Sequence, residues 1–291
     1  MNEKLQPNSL GNNSVHREKK GAEPFLLSDD FQIKELEISL NTKCNLRCTN
    51  CGFKVPAQPE PFAHGVDQHI ESLFALKKLG VRIGKIVLVG GEIALHKNLT
   101  SDLKKIKDVM VSSEVEVVTN GLYPQGIDYE VLNLIDSLVI SDYVRTEAFE
   151  SLWEEYVKSL GCTFRINFRR KDFWDDWTTP VLMSADATQK AWDTCFYRNY
   201  DITLERGRLF SCSRIAKNLK DDEGLSISDI KNIAEVEAYL NSVTPRPSCS
   251  TCTPVAGLPE VIVARQEDGK EVTLSKAALT HMKSSIKGKC R

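Results

Sequence analysis

Long apolar runs are missing from this 291-residue chain: no stretch approaches the roughly 18 apolar residues that a membrane-spanning helix needs. No membrane association is therefore expected. An excess of one charge is missing as well. The 38 Lys and Arg are balanced by 40 Asp and Glu, for a formal charge of −2. Without a broad basic field, no nucleic-acid partner is expected. The opening stretch, MNEKLQPNSLGNNSVHREKKGAEPF, is polar and Asn/Lys-rich with no hydrophobic segment, so no signal peptide is expected there. Residues 1–24 read as a flexible arm, and the expected location is cytoplasmic. Internal repeats and low-complexity tracts are absent. With 41% apolar and 27% charged residues, the chain can build one barrel-sized domain plus a small appendage.

Cysteine, by contrast, is abundant, and its nine copies are clustered. In an exported chain they would suggest disulfides, and the odd number would leave one over. In a reducing compartment, clustered cysteines more often bind metal or do redox work. The stretch SLNTKCNLRCTNCGF (39–53) carries Cys44, Cys48 and Cys51 as CxxxCxxC, with no fourth Cys or His before His64. A structural zinc wants four ligands. Three thiolates suit a [4Fe–4S] cubane whose fourth iron stays open. An open iron needs a ligand, and one fitting candidate is a molecule that chelates it through an amine and a carboxylate.

The hydrophobic pattern alternates between periods of two and 3.6. Strands are expected at 33–40, 84–92, 115–121, 136–143 and 163–169, with helices near 66–80, 98–110, 128–135 and 146–160. Such β-α alternation with short connections implies parallel strands and right-handed crossovers. Five or six strands are too few for a complete eight-stranded barrel. The expected fold is α/β, a partial (β/α)5–6 TIM-type barrel over 25–182. A proline-bounded linker leads to a small cysteine-bearing domain at 183–260, with a β-hairpin at 200–214 turning at Arg206-Gly207 and a helix at 226–243. A C-terminal tail, 261–291, reads as a further hairpin at 261–274 and a terminal helix.

CxxxCxxC after strand one, Gly90-Gly91-Glu92 after strand two and Thr119-Asn120-Gly121 after strand three together resemble the radical S-adenosylmethionine (SAM) superfamily, over roughly residues 33–170. The resemblance implies that Cys44, Cys48 and Cys51 hold a [4Fe–4S] cluster whose open iron binds the amino and carboxylate groups of SAM. It implies SAM contacts at Gly90, Gly91, Glu92, Thr119, Asn120 and Ser141. The family's aromatic before the third cysteine is replaced by Asn50, so Phe53 is expected to pack the adenine. Ile93 stands where the family often has Pro. Physical chemistry supports the same roles: loops at the C-terminal ends of parallel strands meet at one mouth, and paired glycines allow close backbone approach. Glu92 is expected to accept from the SAM ammonium. The plainer alternatives are a tight turn for Gly90–Glu92 and a helix N-cap for Ser141.

Cys195, Cys212, Cys249 and Cys252 form a second set, with Gly207 between the first two and a CxxC at the end. On chemistry alone, four thiolates could close around zinc. The spacing resembles the twitch form of the SPASM auxiliary-cluster extension, which implies a second, fully ligated [4Fe–4S] cluster that passes electrons. Cys162 reads as a core thiol and Cys290 as a tail thiol. The short twitch layout resembles aminocyclitol dehydrogenases. It implies hydrogen abstraction by a 5′-deoxyadenosyl radical, oxidation of a sugar, aminocyclitol or similar small molecule, and an electron donor of the flavodoxin or ferredoxin type. Arg165 and Arg169, on the fifth strand, are the candidate catalytic residues, orienting and deprotonating a substrate hydroxyl. A peptide maturase, a redox-neutral epimerase and a non-enzymatic iron–sulfur or zinc module are the alternatives.

Overall fold

The computed structural model describes residues 32–57, 65–111, 113–163, 166–218, 221–253 and 256–288. The arm expected at 1–24, Arg165 and Cys290 lie outside the described residues. The first half alternates as expected: β1 (Gln32–Ser39), α1 (Val66–Lys78), β2 (Arg82–Val89), α2 (Leu99–Val109), β3 (Glu114–Thr119), α3 (Tyr129–Leu132), β4 (Ser137–Ser141), α4 (Glu147–Ser159) and β5 (Ile166–Arg169). Thr146 caps α4 by accepting from the Phe149 amide at 3.3 Å, and Asp128 caps α3 by accepting from the Val131 amide at 3.0 Å.

Residues 173–174 form β6, 185–193 α5, 197–200 α6, 203–205 β7, 208–210 β8, 213–217 α7, 225–226 β9, 233–240 α8, 261–262 β10 and 276–288 α9. The main sheet has eight strands in the order β5-β4-β3-β2-β1-β7-β8-β9. Strands β1 to β5 pair in parallel, and β7 adds in parallel to the free edge of β1, opposite Glu37 and Ile38. The hairpin β7–β8 forms where expected, turning on two left-handed residues, Arg206 (φ 51°) and Gly207 (φ 69°). It extends the barrel sheet and shares its core. The helix expected at 226–243 is shorter, because residues 227–229 make a 3₁₀ turn before α8 begins.

One face of the sheet is oily. Leu36, Ile38, Ile86, Leu88, Val115, Val117, Leu138 and Ile140 are fully buried against Leu73 and Leu76 of α1, Leu103 and Ile106 of α2, and Phe149 and Trp153 of α4. The opposite face carries charge and curls. Arg169 on β5 lies within electrostatic reach of Glu37 on β1, although four strand spacings in a flat sheet would separate them by about 19 Å. Only a sheet bent into a partial barrel brings that pair together.

The C-terminal region departs from its sequence reading. No hairpin forms at 261–274. Val261 and Ile262 pair instead with Trp174 and Phe173 of β6, antiparallel. Helix α9 forms, but it packs on α4: Met282 is fully buried in the main core, and the Tyr156 hydroxyl lies 3.2 Å from His281 Nε2. Met282→Ala should therefore cost about 2–5 kcal/mol by leaving a cavity. Anaerobic denaturant unfolding, compared with a change at the exposed Lys283, would check it. Equal midpoints would mean that α9 only lies on the surface.

Candidate functional site

The three-cysteine loop leaves β1 and is held from two sides. On one side stands the loop after β2. The Gly91 amide donates to Asn41 O at 2.9 Å, the Glu92 amide to Lys43 O at 2.6 Å, and Asn41 Nδ2 to Glu92 O at 3.2 Å. A Cβ on Gly91 would stand 2.4 Å from Lys43 O, and one on Gly90 would stand 2.9 Å from Asn41 O. The close approach that these glycines permit is thus to the cysteine loop's own backbone. On the other side runs the segment after β10. Thr49 N donates to Arg265 O at 2.9 Å, Glu267 N to Arg47 O at 2.9 Å, and Gln266 Nε2 to Cys48 Sγ at 3.3 Å. That strap pairs with the cysteine loop from more than 200 residues away in sequence.

Glu92 is 2% exposed and fully engaged. Its Oε1 accepts from Ala94 N at 2.9 Å and Thr119 Oγ1 at 2.5 Å, and its Oε2 accepts from Asn120 N at 2.7 Å. Burial raises its pKa, and these three donors oppose the rise. Glu92 therefore locks the loop after β2 to the end of β3, with protein donors where a SAM ammonium was expected. Asn120 passes the linkage on: its Nδ2 donates to Asn45 Oδ1 at 2.7 Å and lies 3.9 Å from Cys44 Sγ. The motif residues after the first three strands form one hydrogen-bonded unit.

Ser141 ends β4 and hydrogen-bonds Tyr143, whose ring packs beside Cys48 and Cys51. Nothing in the sequence singled out Tyr143. Phe53 lies under an ammonium group, with Lys217 Nζ 4.8 Å above its ring centroid. Lys217 is 5% exposed and donates to Ser39 Oγ, and to Glu205 Oε2 at 2.6 Å. Arg169 reaches inward across the sheet, its Nη2 lying 3.7 Å from Glu116 Oε1. Lys85 lies 3.1 Å from Glu35 and 3.6 Å from Glu116. Glu37 sits amid these charges, and its shielded Oε1 makes no hydrogen bond. Burial pushes its pKa up to about 8, against the pull of Lys217. The alternation of IKELEIS hinted at this charged face, but the partners on β3, β5 and α7 had no local signal.

The second cysteine set also comes together. Cys195, Cys212, Cys249 and Cys252 line one cleft enclosing about 470 Å3 of non-atom space, part of it open to solvent. Glu223 organises the CxxC turn by accepting from Ser248 N at 2.8 Å and Ser248 Oγ at 2.5 Å. Trp177 joins the two cysteine sites. Its indole lines this cleft and also covers Gly52, where a Cβ would meet it at 3.2 Å.

No protein-family model matches the chain. The GTP 3′,8-cyclase of Geobacter sulfurreducens is 36% identical over 101 residues, 33% of this chain and 30% of that protein. Molybdenum cofactor biosynthesis protein 1 of Drosophila melanogaster is 27% identical over 145 residues, 47% of this chain and 25% of that protein. Over the matched stretch the chain is similar to radical SAM enzymes. It spans about a third or less of the length of these curated relatives. Among solved structures, BtrN in an open conformation is 14% identical, covering 84% of this chain and 100% of that one, with a TM-score of 0.47. Streptococcus suis SuiB bound to S-adenosylmethionine is 18% identical, covering 48% and 35%, with a TM-score of 0.36. A likeness at those scores carries no weight.

The similarity to radical SAM enzymes implies a [4Fe–4S] cluster and SAM. The donor set of the first loop fits such a cluster. Burial pushes the Cys44 thiol up to about 12 and Cys48 to about 11, so thiolates need a compensating cation. N–H groups already point at the sulfurs: Leu46 N lies 3.4 Å from Cys44 Sγ, and the amides of residues 53–55 face Cys51. Among the described residues, no three His, Cys, Asp or Glu side chains converge on a single-ion site.

Gly91→Ala should push Lys43 out of place, cost about 1–3 kcal/mol and sharply lower the iron that the first loop retains after anaerobic reconstitution. Gly65→Ala, with nothing within 4 Å of the new methyl, should load like the parent. Equal loading of the two variants would show that the glycines are not what positions the cysteine loop.

Proposed function

We propose that the chain is a radical SAM oxidoreductase that dehydrogenates a small polar substrate, a sugar, an aminocyclitol or a similar molecule, with an auxiliary [4Fe–4S] cluster on Cys195, Cys212, Cys249 and Cys252 as electron acceptor. The observation that carries the reading is the wall shared by the two cysteine sites. Trp177 touches the loop of Cys51 and lines the four-cysteine cleft, so an acceptor lies beside the place where a substrate radical would form. The charged inner face of the barrel supports a polar substrate. Cys44, Cys48 and Cys51 would hold the first cluster, with the loops of Gly90–Gly91 and Thr119–Asn120, Ser141 and Phe53 bounding the SAM site. When bound, cluster and SAM supply a 5′-deoxyadenosyl radical able to take hydrogen from an unactivated carbon, on an electron from a flavodoxin or ferredoxin type donor.

The protein's own residues would handle position and protons. Arg169, steadied by Glu116, is suited to orient a substrate hydroxyl and polarise it. A guanidinium does not give up its proton in a protein, so a neighbouring acceptor is needed for the hydroxyl proton. Glu37 has the geometry for that role, since it shares the face with Arg169 and keeps an unbonded oxygen. A pKa near 8 also suits proton uptake close to neutral pH.

Anaerobic reconstitution should give about eight irons per chain, and replacing Cys44, Cys48 and Cys51 with Ala about four. The reduced parent should convert SAM to 5′-deoxyadenosine. One zinc beside about four irons would instead make the second site structural and remove the acceptor from the mechanism.

A base has to be ionised to act, so product formation should rise with pH through about 8 in the parent. It should be about 10²–10⁴-fold slower and lose that inflection in Glu37→Gln. Folding should survive the change. With the folded pKa raised, stability falls as pH climbs from 4.5 toward 8, because Glu37 ionises first in the unfolded chain, and the neutral amide avoids that cost. An unchanged inflection in the variant would assign the proton to another group.

A further inference from the structure

We propose that Arg198 is a positioning residue for the group held by the second cysteine set, donating to it and raising its reduction potential. The inference rests on the auxiliary-cluster reading above. Arg198 stands in α6, three residues after Cys195, and is 9% exposed. Its guanidinium lies 4.5 Å over the Trp192 ring and lines the cleft of the four cysteines. It is within electrostatic reach of Cys195, Asp193 and Cys249, yet Nε and Nη1 have no hydrogen-bond partner among the described residues.

That arrangement is costly as it stands. A guanidinium keeps its charge when buried, and unpaired buried donors cost free energy. Arg214, on the same cleft, also leaves its Nε without a partner among the described residues but engages both terminal nitrogens. Its Nη1 and Nη2 donate to Ser248 O at 3.4 Å and Thr251 O at 2.6 Å, anchoring the CxxC turn. Arg198, which lines the same cleft, leaves two shielded donors without a partner among the described residues. An anion in that space would satisfy them, and a four-cysteine [4Fe–4S] cluster is one: its charge with ligands is −2 when oxidised and −3 after taking one electron. A fixed positive charge favours the more negative state, so it makes that single-electron reduction easier.

The test uses the full chain with Cys44, Cys48 and Cys51 replaced by Ala, so that only the second cluster reports. Dithionite supplies the electron, and electron paramagnetic resonance follows the reduced state during a redox titration. Arg198→Met is expected to keep about four irons and titrate at a lower potential, with Arg198→Lys recovering part of the shift. A potential unchanged in Arg198→Met at full iron loading would overturn the proposal while leaving the cluster reading intact. Zinc in place of iron in the parent site would overturn both. If Arg198→Met does not load, Arg198→Gln takes its place with the same expectation and the same overturning result. Loss of iron from Met and Gln variants, with iron kept by Lys and unchanged circular dichroism, is the result expected of a charge required for assembly. Loss from all three would reduce Arg198 to a packing role on Trp192.

Discussion

The Lys43 carbonyl occupies the space that a side chain on residue 91 would fill, and the order of the site follows from that contact. Because two backbones meet there, the amides of Gly91 and Glu92 can bind the loop that leads into Cys44. Glu92 is thereby turned inward, where one carboxylate gathers donors from its own loop and from the end of β3. Asn120, fixed by that carboxylate, then reaches back to Asn45 beside Cys44. The chain of contacts starts and ends at the cysteine loop. Three strands that are adjacent only through backbone pairing become a single rigid rim, and preorganisation of this kind is what a cofactor site needs.

The two faces of the sheet divide the work of the fold. Aliphatic side chains on the outer face meet the helices and supply the burial that stabilises the domain. The inner face carries Glu35, Glu37, Glu116 and Glu205 against Lys85, Arg169 and Lys217, with interactions that run across strands. Charge that is partly buried in this way adds little to stability, so the cost of Glu37, Glu205 and Lys217 is best understood as the requirement of a polar occupant.

Much of the framework was legible in the sequence because its signals are local. The β-α alternation, the Arg206-Gly207 turn and the spacing of Cys44, Cys48 and Cys51 each lie within a few residues and follow from short-range geometry. Gly90-Gly91-Glu92 was legible as a motif but its contacts were not: the partners of Gly91 and Glu92 come from the loop after β1 and from the end of β3, and no window of sequence contains them. The charged face was half legible, since IKELEIS shows the alternation while Lys217 and Arg169 arrive from other elements. Least legible was the segment after residue 260. Its short β10 pairs with β6, and Gln266 meets Cys48 across 218 positions. The hairpin expected at 261–274 gives way to that tertiary pairing.

The strap formed by Arg265, Gln266 and Glu267 also has a consequence in time. During synthesis Cys44, Cys48 and Cys51 leave the ribosome long before residue 267 does, and domains tend to fold from the N-terminus as they emerge. For that interval the thiols lack the backbone partners that Arg47 and Thr49 later find. A nascent chain therefore presents an open, metal-accessible loop, and the finished chain a braced one. Loading the loop is easier before the strap arrives, and keeping the load is easier after.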